Sequence, residues 1–124
     1  MFIRGDILEA THRELIEGFH YIIFYDGHSN NDFIGGMITH SGINQNKPMS
    51  EEHFNEADEN GNIYKIQYDN TYLVNAKLIK PNKWGPYKKV GTLTNEGIAF
   101  LEDTIEHLPL ETFGDYYYKI KNSL

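Results

Sequence analysis

Two histidines, His20 and His40, stand in segments that read as neighbouring strands. An imidazole titrates near neutral pH. A pair straddling a phosphate would therefore supply the acid and the base of a phosphodiester cleavage. Beside His40, the hydroxyls of Thr39 and Ser41 can donate hydrogen bonds to phosphate oxygens. Further along, Lys77, Lys80, Lys83, Lys88 and Lys89 form a basic cluster with Trp84 and Tyr87 inside it. Cations interleaved with aromatics suit single-stranded RNA, whose phosphates pair and whose bases stack. Each feature also has an ordinary reading. The histidines fit half-exposed strand positions, strand-end hydroxyls are common, and lysines guard a sheet edge against aggregation.

Other chemistries find less support. The chain has no cysteine, which excludes disulfides and thiolate metal sites. No serine sits in a Gly-x-Ser-x-Gly elbow. No Gly-Lys-Ser/Thr follows Gly35-Gly36, so a phosphate-binding loop is not indicated. His12, His28, His53 and His107 fall in expected loops or at a helix end, without the tight spacing of metal ligands. No metal and no cofactor are expected.

Positioning the candidate residues falls to short strands. Residues 4–10 read as an opening strand and 11–18 as a polar loop. The β-branched and aromatic run 19–25 carries the clearest strand signal. Residues 28–32 form a turn and 33–40 an antiparallel return strand, where Gly35-Gly36 suggests a bulge or a sharp bend. Residues 41–62 read as a long polar loop with a helical turn around 50–57. A strand over 63–68 and a turn at 69–70 lead to a strand over 71–80 with apolar residues on both faces. After a loop at 81–86, residues 88–93 give the last strand.

The period then changes. Ile98, Leu101, Ile105 and Leu108 recur at helical spacing, Thr94 can cap the amino end, and Pro109 stops the run, which predicts a helix over 94–108. The tail 112–124 fits a short helix or an edge strand. Its Phe113 and Tyr116-Tyr117-Tyr118 fit either a contact surface or packing across an open end of the fold. Many short strands followed by one helix suggest a small barrel, mainly β with a C-terminal helix.

Composition agrees with one globular domain. A chain of 124 residues with 14% aromatics can bury a core of its own. The net charge of −7 disfavours non-specific nucleic-acid binding. The opening residues Met1 to Asp6 read as neither a signal peptide nor a membrane span, so a cytoplasmic location without membrane association is expected.

The order of pieces resembles the MazF/PemK family of plasmid-maintenance and growth-inhibitor toxins. The residues that carry the resemblance are Arg4-Gly5-Asp6-Ile7, then Phe19-His20-Tyr21-Ile22-Ile23-Phe24, then Ile38-Thr39-His40-Ser41. Val74-Asn75-Ala76-Lys77-Leu78 and Lys88-Lys89-Val90-Gly91-Thr92-Leu93, followed by the helix, continue it. The resemblance implies an SH3-like barrel of about five to seven short antiparallel strands with a C-terminal helix. It implies a homodimeric, metal-independent endoribonuclease that cuts single-stranded RNA by 2′-hydroxyl attack and is neutralised by an antitoxin protein. His20 and His40 would then transfer protons and Thr39 would contact the phosphate. Lys77, Lys80, Lys83, Trp84 and Lys88 would bind RNA. The family's arginine after the histidine-like position is replaced here by Tyr21, and the chain's arginines are Arg4 and Arg13. Losing one such donor typically costs about 10²–10³ in turnover. A rival expectation is therefore a non-enzymatic protein of the same fold that grips a host or partner protein, with the tyrosine tail as its contact surface.

Overall fold

Bulky side chains such as those of Tyr21-Ile22-Ile23-Phe24-Tyr25 pack well on a pleated surface and poorly against a preceding helical turn. In the computed structural model, which describes residues 1–10, 21–64 and 70–122, this run is a strand. The elements are β1 (Asp6–Ala10), β2 (Tyr21–Gly27), β3 (Asp32–Thr39), β4 (Lys47–Pro48), β5 (Tyr72–Leu73), β6 (Lys77–Pro81) and β7 (Tyr87–Thr92). They are followed by α1 (Asn95–Ile105), β8 (Leu110–Thr112) and α2 (Phe113–Lys121). Short 3₁₀ turns occupy Glu51–His53 and Asn82–Trp84. The strand expected over 63–68 and the His20 end of the strand expected over 19–25 fall largely outside the described residues.

Strands β2 and β3 form the central hairpin, with Tyr21 opposite Ile38 and Phe24 opposite Gly35. The register then slips so that Asp26 faces Ile34, which leaves Tyr25 as the extra residue of a bulge. The bulge suggested by the paired glycines is therefore in the partner strand. Gly35 is where the backbones close up, since a Cβ there would stand 2.8 Å from a methyl of Ile22.

The strand expected over 71–80 is two strands. The first half of β3 pairs with β6 and its second half with β5. Between them Val74 N–H donates to the Met37 carbonyl and Ala76 N–H to that of Val74, a tight kink whose apolar side chains stay buried. Strand β8 joins β6 in parallel, and the remaining ladders are antiparallel.

The eight strands make a mainly antiparallel sheet with the path β4-β5-β3-β2-β1-β7. Here the sequence expectation needs correction: the sheet is not closed into a barrel, and the described residues contain no pairing between β4 and β7. Closure requires continuous tilted strands with a cumulative stagger. The two-residue strands β4 and β5 end the ladder before it can curl back to β7.

Successive residues feed opposite faces, as a period of two demands. Ile7, Ile23, Ile38, Leu73 and Val90 pack with Leu101 and Ile105 of α1. Their neighbours Leu8, Ile22 and Phe33 form a second cluster on the other face, and Met37, Leu78 and Tyr116 of α2 form a third. The α1 helix starts where Thr94 Oγ1 accepts from Gly97 N–H at 3.1 Å. It ends at Ile105, short of the expected 108, and Leu108 belongs to a turn closed by its N–H on the Ile105 carbonyl. Among the described residues no helix is long and apolar enough to cross a membrane.

Candidate active site

His40 follows directly on β3 and is exposed. Its Nδ1 lies 3.0 Å from the backbone carbonyl of Asn70. A carbonyl oxygen only accepts, so Nδ1 carries the hydrogen and donates it. In the neutral ring the lone pair then sits on Nε2. Asn70 presents its carbonyl from a left-handed backbone, φ 53°, which asparagine tolerates better than most residues. The geometry is that of an imidazole whose proton-accepting nitrogen is chosen by its other hydrogen bond.

Thr39 is adjacent in sequence but alternates to the other face of β3. It is half-buried, and its Oγ1 accepts from Ser41 N–H at 3.3 Å, so the hydroxyl helps shape the turn that carries His40. His20 lies outside the described residues. Thr39, His40, Ser41 and Asn70 thus meet at one end of the sheet.

The lysines divide into two groups. Lys80 pairs in register with Phe33, six residues before Thr39, which is roughly 20 Å along β3 at ~3.3 Å per residue. Its side chain is 2% exposed. The ammonium sits 3.4 Å from Met37 Sδ, above the rings of Phe113 and Trp84 at 5.2 and 5.7 Å. Trp84 is half-buried, and its indole N–H is shielded from solvent with no hydrogen-bond partner among the described residues. Lys77 points to the opposite face of β6 and donates to the Glu106 carbonyl at 2.6 Å, capping the negative end of α1. Lys83 is exposed in the 82–84 turn, at this same far end.

Lys88 is placed differently. The register runs from Lys88 to Glu9, from Glu9 to Tyr21, and from Tyr21 to Ile38. On the other side it runs from Ile38 to Leu73 and on to Lys47. Directly paired residues share a face, so Lys47 and Lys88 end one row across the His40 end of the sheet. At ~4.8 Å between strands they lie roughly 10 and 14 Å from β3. Both are exposed. Lys47 has no sequence signal that marks it, because its position depends on a two-residue strand no pattern announces.

Arg4 is committed elsewhere. Its guanidinium lies 4.1 Å over the Tyr25 ring, donates to the Tyr25 carbonyl at 2.9 Å, and pairs with Glu102 at 2.5 Å and more loosely with Asp26 at 3.9 Å. It ties β2 to α1. Burial pushes the Tyr25 hydroxyl pKa up; Arg4 pulls it down and Glu106 adds to the rise. That hydroxyl has no hydrogen-bond partner among the described residues. No group of three metal-ligating side chains is found among them either.

Compared with family models, curated proteins and solved structures, the chain gives no match.

Proposed function

We propose that this protein is a metal-independent endoribonuclease acting on single-stranded RNA, with His40 as its general base. The observation that carries the proposal is the Nδ1 bond to the Asn70 carbonyl, which makes Nε2 the nitrogen that accepts a proton in the neutral ring. In the reaction, Nε2 takes the proton of a ribose 2′-hydroxyl while the oxygen attacks the adjacent phosphorus. The bond to the 5′ oxygen breaks, that oxygen is protonated as it leaves, and a 2′,3′-cyclic phosphate remains. His20 is the proton donor in this proposal. Lys47 and Lys88, at the two ends of the cross-sheet row, attract the RNA backbone. Arg4, held by Glu102 and the Tyr25 ring, is not the catalytic cation.

A second reading rests on its own observation. Tyr117 and Tyr118 of α2 are 55% and 71% exposed, and Leu110 of β8 is 38% exposed. Exposed aromatics are the residues that anchor protein interfaces. They fit an antitoxin, a second copy in a homodimer or a host protein, and in a chain without catalysis such binding would be the whole function.

Induced expression in a bacterial host, with total RNA mapped for new 5′ ends, separates the two. Discrete cuts that vanish with His40→Gln support the nuclease. Growth arrest without cuts, abolished by Tyr117→Ala/Tyr118→Ala, supports the binding protein and removes the nuclease proposal.

A further inference from the structure

Lined in part by the 41–46 loop that follows His40 is a cleft of about 380 Å³, within the size range of small-ligand sites. One rim carries carboxamides: Asn44, Gln45 and Asn75. They are held in place. Asn46 N–H donates to the Ile43 carbonyl, Asn46 Nδ2 donates to the Ser41 carbonyl at 3.0 Å, and Asn75 N–H donates to Asn46 Oδ1 at 3.2 Å. Asn75 Nδ2 reaches Gln45 Oε1 at 3.4 Å. Asn44 and Gln45 hold consecutive left-handed conformations, φ 58° and 65°. Each costs energy for a residue with a Cβ and persists only where the surroundings over-determine it.

The lining also includes the apolar Leu108, Pro109 and Ile120 and the buried Tyr116. At its edge Lys119 and Glu111 neutralise each other at 3.0 Å. The cleft thus offers both uncharged donors and acceptors and hydrocarbon. Among the described residues an anion finds no uncompensated cation on its rim. A flat, neutral heterocycle with alternating donors and acceptors along its edge fits both kinds of lining, and carboxamides recognise such edges in pairs.

We propose that this cleft binds a single nucleobase of the RNA, with Gln45 and Asn75 reading its edge and Leu108 and Ile120 covering its face. The inference rests on the RNA reading above and adds to it a site for base preference, supplied by neutral amides on a chain whose net charge is −7.

Nucleosides test it without requiring cleavage. Adenosine, guanosine, cytidine and uridine are titrated separately into ¹⁵N-labelled protein, and the side-chain amide signals of Asn44, Gln45 and Asn75 are followed. One or two of the four are expected to move those signals saturably, with at least fivefold weaker binding in Gln45→Gly. That variant relieves the left-handed backbone at 45 while deleting the carboxamide, so loss of binding is not loss of fold. Asn75→Asp is expected to change which nucleoside binds best. His40→Gln should leave nucleoside binding unchanged, which keeps this test independent of the catalytic proposal. Signals that stay still with all four nucleosides, or shifts that persist undiminished in Gln45→Gly, would overturn the inference even if RNA is cut.

Discussion

At the scale of single residues, small contacts decide where larger pieces meet. Gly97 in the first turn of α1 has no side chain because the carbonyl oxygen of His53 stands where a Cβ would be. Gly97→Ala must push α1 off the 51–53 turn, and we expect it to lower unfolding stability by about 3 kcal/mol, at the upper end of overpacking costs, as read by urea titration. Tyr87 tests burial through pH. Its hydroxyl donates to the Pro81 carbonyl at 2.7 Å, and burial pushes its pKa up to about 12 from an ordinary 10. The folded state therefore holds the neutral phenol where the unfolded chain ionises. The stability this residue contributes is complete below pH 10 and falls as the pH rises towards 12. Tyr87→Phe should flatten that alkaline limb in thermal melts while costing about 1 kcal/mol near neutral pH for the lost hydrogen bond.

At the scale of elements, the ends of α1 are set by side chains that do more than cap. Thr94 Oγ1 accepts from Gly97 N–H and its hydroxyl donates to the Glu52 carbonyl at 2.6 Å, so one residue starts the helix and docks it. Thr94→Ala should cost about 1–2 kcal/mol, while Thr94→Ser should recover most of it, measured by chemical unfolding of both variants. Local pattern made the helix legible, because Ile98, Leu101 and Ile105 keep a helical period and Leu101 and Ile105 are fully buried. It made the β2–β3 hairpin legible for the same reason, through alternation and β-branched density. It could not show that residues 71–80 are two strands, because the break at Val74 and Ala76 comes from the Met37 carbonyl, a tertiary partner. Nor could it show that the strands stop short of a barrel, since that depends on how β3 divides one edge between β5 and β6. Lys80 was misleading in the same way: an apparent member of a basic surface, it is buried over the rings of Trp84 and Phe113. His40 and Thr39 were visible as residue types, but the Asn70 carbonyl that fixes the histidine tautomer was not, being a backbone group 30 residues away.

At the scale of the whole molecule, a net charge of −7 must be reconciled with the polyanionic substrate proposed above. The reconciliation proposed here is local: Lys47 and Lys88 at the ends of one row, with the amide cleft binding without charge. Two phosphate contacts predict a shallow salt dependence, with log affinity for single-stranded RNA falling at a slope of about −1.4 against log salt. Lys88→Gln should reduce that slope by about 0.7, measured by fluorescence anisotropy with a non-cleavable 2′-deoxy strand. The central claim, that His40 takes the 2′-hydroxyl proton, is tested most directly with purified protein and RNA in excess chelator. We expect wild-type protein to leave 2′,3′-cyclic phosphate ends, and His40→Gln, at an exposed position, to stay folded with a rate about 10²-fold lower. Intact RNA with wild-type protein, or equal rates for wild type and His40→Gln, would contradict it.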